Sequence, residues 1–319
     1  MKVRFLIKIL VSLIMLGLVL RLINFNSLKI QLLSIPLPIM IVIILWYAIG
    51  QCLSAFKWSL IARFGGIPVN YATALKAYFI GTFVNCYGLG VLGGDLARGL
   101  LIAEGHSMKA EAVTSVLADR LHGLTILALI GSFGAIISLI FADYSQRAFL
   151  IYILVGAGSL MAVGWFVGPA ALLKIIPHKN KWRTKIESVL SVFPKQPSKL
   201  ALISAVSVIF HLTQISLHWY IGLQLGAHIT LEYLFVAIPV VNIIATLPIS
   251  WNGLGVRENS YAFFLVPAVL DYSQAVALGA VWLLSVLSTS AVGGIIAFIT
   301  GDFETVLRKN STSHSNGID

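Results

Sequence analysis

Apolar runs long enough to cross a bilayer recur along this chain, and two of them are broken by glycine and paired charge. A helix needs about 20 apolar residues to cover roughly 30 Å of hydrocarbon. Phe5–Leu20, Leu37–Phe56, Leu121–Phe141, Phe149–Leu173, Leu200–Leu223 and Gln274–Ile299 meet or approach that length. The broken regions are Ala72–Ile102 and Tyr233–Pro267. No strand-like alternation is present, so backbone groups in lipid must be satisfied inside helices. The prediction is an all-α polytopic membrane protein with about eight hydrophobic segments, including re-entrant or broken helices. Composition agrees: 58% of residues are hydrophobic and 11% charged, whereas soluble domains carry about 25% charged residues.

Basic residues set an expected topology. Lys174, Lys179, Lys181, Arg183, Lys185, Lys195 and Lys199 cluster against a single acid, Glu187. Such a cluster belongs on the cytoplasmic face beside anionic lipid, so the net charge of +10 is an orientation signal and implies no nucleic-acid partner. Of the 22 Lys and Arg residues, all but Arg21, Lys29, Arg147 and Arg257 then fall on that side or in spans approached from it. A retained first span follows, since Arg21 ends the apolar run without a small-residue cleavage site. Both termini are expected in the cytoplasm and the protein in the plasma (inner) membrane. We expect one integral membrane domain over 1–319. It divides into a first half 1–173, a basic loop 174–199, a second half 200–303 and a disordered tail 304–319. Within the loop, Lys181–Phe193 reads as an amphipathic surface segment with Trp182, Ile186, Val189, Leu190 and Phe193 on one side.

This topology makes the two broken regions enter from opposite faces, an inverted repeat. The first carries Asn85, Gly93, Gly94, Asp95 and Arg98; the second carries Asn242, Gly253, Gly255, Arg257 and Glu258. Interrupted helices at corresponding positions of two halves point to a transporter's binding site. Charge at a bilayer centre costs about 2.5–3.5 kcal/mol per residue, so it is seldom incidental. Glycine lets the backbone unwind and present N–H groups to an anion. Arg98 then offers a fork of donors to a phosphate, and Asp95, three residues earlier, orients that fork. In Asp119-Arg120 the two side chains diverge on a helix, so Arg120 is expected to reach the site while Asp119 pairs with another helix. Glu258 is expected to pair with Arg98 or Arg120 across the pseudo-symmetry axis, and Asp95 with Arg257. A purely structural set of salt bridges remains the alternative for each pair.

Other features are read more plainly. His122 is expected as an interfacial polar residue. Ser204, Ser207, His211, Gln214 and His218 share one helical face suited to interhelical hydrogen bonds, and Ser285, Ser288, Thr289, Gly293 and Gly294 suit close packing. Gly88-x-Gly90-x-x-Gly93 lacks the strand a dinucleotide fold requires. Cys52 and Cys86 provide neither a disulfide framework nor a metal site. No catalytic constellation emerges; the expectation is a non-enzyme without metal or cofactor.

Several motifs occur here in order: Tyr78-Phe79-Ile80-Gly81 running into Asn85, Gly93-Gly94-Asp95-x-x-Arg98, Asp119-Arg120, and Pro248-x-Ser250-x-x-Gly253-x-Gly255-x-Arg257-Glu258. Over roughly residues 5 to 300 the chain resembles the transmembrane region of lysyl-phosphatidylglycerol synthases and the related stand-alone flippase-like proteins. The resemblance implies charged motifs flanking a lipid path, which in the synthases passes aminoacylated phosphatidylglycerol between leaflets. It differs in ending soon after the last span, so the aminoacyl-transferase domain and lipid lysylation are not expected. It also lacks a proline between Asn85 and Gly93, which implies a less rigid loop. The expected function is a translocase for a phosphate-bearing amphiphile such as (aminoacyl-)phosphatidylglycerol. A polyprenyl-phosphate-linked glycan transporter and a non-transporting membrane scaffold are the alternatives. Expected partners are a membrane phospholipid or lipid-linked substrate, together with a homo-oligomer or an envelope-biosynthesis partner.

Overall fold

A computed structural model of the protein describes residues 25–87, 90–141, 149–175, 183–247, 250, 253–266 and 269–302. The expected first span and C-terminal tail lie outside them. The described residues form helices and no strand. In chain order these are α1 (Phe25–Ser34), α2 (Leu37–Phe64), α3 (Tyr71–Tyr87), α4 (Gly90–Ile102), α5 (Lys109–Phe141), α6 (Phe149–Phe166), α7 (Gly168–Ile175), α8 (Arg183–Leu190), α9 (Pro197–Gln224), α10 (Leu231–Thr246), α11 (Val256–Leu265) and α12 (Tyr272–Thr300).

Four of them, Leu37–Phe64, Lys109–Ile137, Pro197–Gln224 and Tyr272–Thr300, are long and apolar enough to cross a membrane. They begin where the sequence offers local reasons to do so. Prolines occupy the first turns of α2 and α9, where their missing N–H costs nothing. Asp271 accepts from the Gln274 N–H at 2.7 Å while the Gln274 side chain accepts from the Asp271 N–H at 2.9 Å, a reciprocal cap that starts α12. Gly66 (φ 84°) and Gly226 (φ 71°) turn the chain out of α2 and α9 in the left-handed conformation glycine tolerates.

The helix order is a repeat. α2–α3–α4–α5 runs 28, 17, 13 and 33 residues, and α9–α10–α11–α12 runs 28, 16, 10 and 29. At a rise of about 1.5 Å per residue, α3 reaches about 26 Å and α4 about 20 Å, short of the roughly 30 Å a crossing requires. The pair α3–α4 therefore dips into the bundle from the end where α2 finishes and α5 starts. The pair α10–α11 dips in from the opposite end.

Packing between the halves is reciprocal. α3 lies antiparallel on α12, with the Phe79 backbone against Gly293 and the Phe83 ring against Gly294. α10 lies antiparallel on α5, with Pro239 against Gly131 and Phe235 against Gly134. Phe79 and Pro239 stand at the same chain offset as Gly134 and Gly294, and as the turn glycines Gly66 and Gly226. In lipid, helices gain little from hydrophobic exclusion and associate through close packing, which small residues permit. This register corrects one pairing read from the sequence: the counterpart of Asn242 is Thr82, not Asn85, because α3 runs one residue longer than α10 and the loops differ.

Two further expectations are revised. The apolar run Phe149–Leu173 is not one span; it breaks at Val167 between α6 and α7, beside Gly168 and Pro169. The segment expected to open at Leu121 starts twelve residues earlier, at Lys109, so Asp119-Arg120 sits inside α5. Part of the basic loop is helical, as its amphipathic pattern suggested: α8 places Leu190 beside buried Phe193, whose ring meets Trp165 edge to face at 5.0 Å.

Candidate functional site

The tips of the two re-entrant pairs converge on a cavity of about 300 Å³. α3 contributes Thr82, Asn85 and Cys86, and α4 contributes Asp95 and Arg98; α10 and α11 contribute Asn242, Thr246 and Arg257. The long helices close the remaining walls with Tyr47, Gln51, Ser54 and Lys57 from α2, Asp119 and Arg120 from α5, His211 and Gln214 from α9, and Trp282 from α12. Asp119 lies about 15 Å along the α5 axis from Lys109, well inside a bilayer if that end is at the interface.

One wall is an alternating chain of five charges. The Lys57 ammonium lies 3.0 Å from Asp119 Oδ1 and also donates to the Asp119 carbonyl at 3.1 Å. Arg98 Nη2 donates to Asp119 Oδ2 at 3.2 Å, and Arg98 Nε lies 3.4 Å from Asp95 Oδ1. Arg120 then grips Asp95 with two nitrogens, Nη2 donating to Oδ1 at 2.9 Å and Nε facing Oδ2. Exposure rises along the chain, from 4% for the Lys57 side chain and 6% for Arg98 to 33% for Arg120. Lys57 and Asp119 thus form the deep end, and Arg120 meets the open space.

Arg98 is also held by two aromatic rings. Its guanidinium carbon stands 4.9 Å from the Trp58 ring and 4.9 Å from the Tyr78 ring, contacts worth about 0.5–2 kcal/mol each. Trp58 donates to Ser115 Oγ at 3.0 Å and Tyr78 to Ser54 Oγ at 2.9 Å, which holds both rings in place. Gly81 and Gly94 let α3 and α4 approach until a side chain at either would meet the other helix's backbone. That approach seats Arg98 against Gly81 and Asn85 against Gly94.

The second re-entrant pair contributes a cation in a different condition. Arg257 lines the cavity, and its Nε is buried with no hydrogen-bond partner among the described residues. No acid pairs with it there. The loop that delivers it is unwound: Gly253 (φ 77°) and Gly255 (φ 78°) both occupy the left-handed region, and Gly253 lies against the Ala245 carbonyl and the Arg257 side chain.

Measured against the sequence reading, the structure brings Asp95, Arg98, Asp119 and Arg120 into one network and places Arg257, Asn85 and Asn242 on the same cavity. Asp119 pairs with other helices and Arg120 reaches the site, as the divergence of adjacent side chains required. Three expectations are corrected. Glu258 does not cross to Arg98 or Arg120; its Oε2 accepts from the Gly255 N–H at 2.6 Å and caps its own helix, the local partner offering a charge-assisted bond without cross-bundle reach. Asp95 does not pair with Arg257, because Arg120 already holds both its oxygens. Gly93 and Gly94 are wound into α4, where Gly94 packs against α3, whereas Gly253 and Gly255 belong to an unwound loop.

The polar face of α9 is used for interhelical bonds, as read. His211 Nε2 donates to the Gly123 carbonyl at 2.9 Å, and His218 is within 2.7 Å of the Tyr261 hydroxyl. His122 is not interfacial but buried, bonding Ser204 Oγ at 3.1 Å beside Trp165. Lys57, directly after the apolar run Leu37–Phe56, was not among the expected site residues. Its position supplied a signal: it lies two turns inside α2 with apolar residues on both sides, a costly location for an unpaired ammonium. Among the described residues no His, Cys, Asp and Glu grouping could hold a metal ion.

No curated protein and no solved structure gives a significant match to the chain. The family model described as the lysylphosphatidylglycerol synthase TM region matches residues 5–293, and the chain belongs to that family of membrane proteins.

Proposed function

We propose that this protein is a lipid translocase that passes a phosphate-bearing amphiphile, such as a phosphatidylglycerol, between leaflets. The observation that carries this reading is Arg257: a guanidinium on the wall of a mid-bundle cavity, with a buried donor unsatisfied among the described residues and Arg120 lining the same cavity. A buried unpaired donor costs about 1–3 kcal/mol, and more when charged. A headgroup phosphate entering the cavity relieves that cost by accepting from Arg257 and from the exposed side of Arg120, with Asn242 and Asn85 as neutral donors. Arg98, doubly paired and held by two rings, positions Arg120 through Asp95 instead of reaching for the substrate.

Cavity size supports a compact headgroup. About 300 Å³ is the small end of ligand sites and suits a glycerophosphate with its acyl chains left in the bilayer better than an oligosaccharide. Re-entrant pairs entering from opposite ends give the inverted arrangement through which alternating access operates in transporters. The family relationship supports a lipid-related role. In this reading the protein makes and breaks no covalent bond, and it sits in the plasma membrane with its basic loop and both termini on the cytoplasmic face.

The test is leaflet exchange in reconstituted vesicles, followed as the fraction of acyl-labelled phosphatidylglycerol that an external quencher reaches. Arg257→Gln is expected to slow exchange by about tenfold or more, the equivalent of about 1.4 kcal/mol, and Arg257→Lys to retain part of it. Wild-type exchange at the protein-free rate, or an Arg257→Gln variant that is correctly inserted and fully active, would end the proposal.

A further inference from the structure

We infer that the cavity selects a headgroup of net negative charge and discriminates against one that carries an amine, so that phosphatidylglycerol itself is preferred over its lysyl ester. The inference rests on the proposed function for the location of the substrate, but its grounds are the charges of the cavity wall. Lys57, Arg98, Arg120 and Arg257 line the cavity against Asp95 and Asp119. The surplus is positive, and it is concentrated at Arg257, the cation without an acid partner among the described residues.

An ammonium group entering this space needs a carboxylate with a free oxygen, and among the described residues neither acid on the cavity wall offers one. The chain has 12 Asp and Glu residues, of which Asp95, Asp119 and Glu258 occupy the re-entrant and central segments. Asp119 is held by Lys57 through one oxygen and by Arg98 through the other. Asp95 is gripped by both nitrogens of Arg120 and approached by Arg98. Glu258 is turned away, its Oε2 on the Gly255 N–H and its Cγ in the groove beside Gly279 of α12. Counting it still leaves the interior positive.

Aromatic faces are the other host for an ammonium. Trp282 is stacked on His218 at 3.9 Å and set edge to face with Tyr47 at 5.2 Å, so at most one of its faces is open. Phosphatidylglycerol brings one negative charge to two arginines. Its lysyl ester adds two amines near the same phosphate, which turns the net attraction into repulsion at short range and low dielectric.

The experiment compares acyl-labelled phosphatidylglycerol and lysyl-phosphatidylglycerol in the same vesicles, with leaflet exchange and lipid-dependent thermal stabilisation of the detergent-solubilised protein as separate readouts. Phosphatidylglycerol is expected to exchange about tenfold faster or more, a ratio set by one charge reversal in the cavity, and to stabilise the protein where the lysyl ester does not. Arg257→Gln should erase the difference, and Asn242→Asp, which places a carboxylate on the cavity wall, should reverse or abolish the preference. Equal or faster exchange of the lysyl ester by the wild type overturns the charge selection and leaves the translocase reading standing. Stabilisation by phosphatidylglycerol with no exchange of either lipid does the opposite: it defeats translocation and upholds the selection. If neither lipid stabilises the protein or exchanges, both fall.

Discussion

Asp119→Ala is expected to cost about 3–5 kcal/mol of stability, the range for removing one partner of a buried ion pair, and to be the most damaging single change in the site. Asp119 is 4% exposed and holds two cations at once, Lys57 at 3.0 Å and Arg98 at 3.2 Å. Taking it away leaves Lys57 inside the bundle without counter-charge and Arg98 with only its longer contact to Asp95, a carboxylate already engaged by Arg120. Lys57→Met is expected to be milder, because Asp119 keeps Arg98, and the methionine stem fills much of the lysine's path. The double variant Lys57→Met, Asp119→Ala should recover part of the loss, as removing both members of a buried pair is often far cheaper than removing one. Thermal unfolding of the purified protein in detergent checks the order. If Asp119→Ala melts with the wild type, the five charges are independent and do not form a coupled chain.

Gly293→Ala is expected to be the second most damaging change, at about 1–3 kcal/mol or more, the range for overpacking a filled interior. A methyl group there would fall inside the van der Waals envelope of the Phe79 carbonyl, a backbone atom that cannot rotate away. α3 and α12 would have to separate, carrying Thr82, Asn85 and Cys86 outward from the cavity. A control in the α5–α10 contact of the other half is Gly134→Ala, where the added carbon would lie 2.8 Å from the Phe235 Cβ and 3.2 Å from its carbonyl oxygen. A smaller shift of α10 on α5 accommodates that, so the loss should be visibly smaller. Unfolding temperature and folded yield measure both. Equal tolerance at the two positions would show that the α3–α12 contact is looser than its glycine implies.

How much of this was legible in the sequence depends on the range of the interaction involved. Span placement was readable because hydrophobic length is a local property, and α2, α9 and α12 lie within a few residues of the apolar runs at their N-termini. Broken pairs were readable because charge and glycine stand out against apolar sequence. The Asp119-Arg120 divergence followed from helical geometry alone. What failed required knowledge of neighbours. Lys57 resembled a span-end lysine because nothing local says that Asp119, on another helix, faces it. Glu258 was assigned a distant partner although the Gly255 N–H lay three residues away, and a helix start usually claims such a carboxylate first. Gly94 and Gly253 stand in similar glycine-rich sequence, yet one packs inside a helix and the other turns an unwound loop. The difference lies in what sits opposite: Gly94 faces Gly81 and Asn85 across a tight helix pair.

Every ion pair in the charged chain lies within or between α2, α4 and α5, all from the first half of the molecule. Arg257 belongs to the second. A tilt of one half past the other would therefore rupture no ion pair of that chain, while changing the gap between Arg257 and Arg120. Stiffness and mobility are thereby assigned to separate mechanical parts: a braced frame on one side of the cavity and a lone charge that can ride toward it or away.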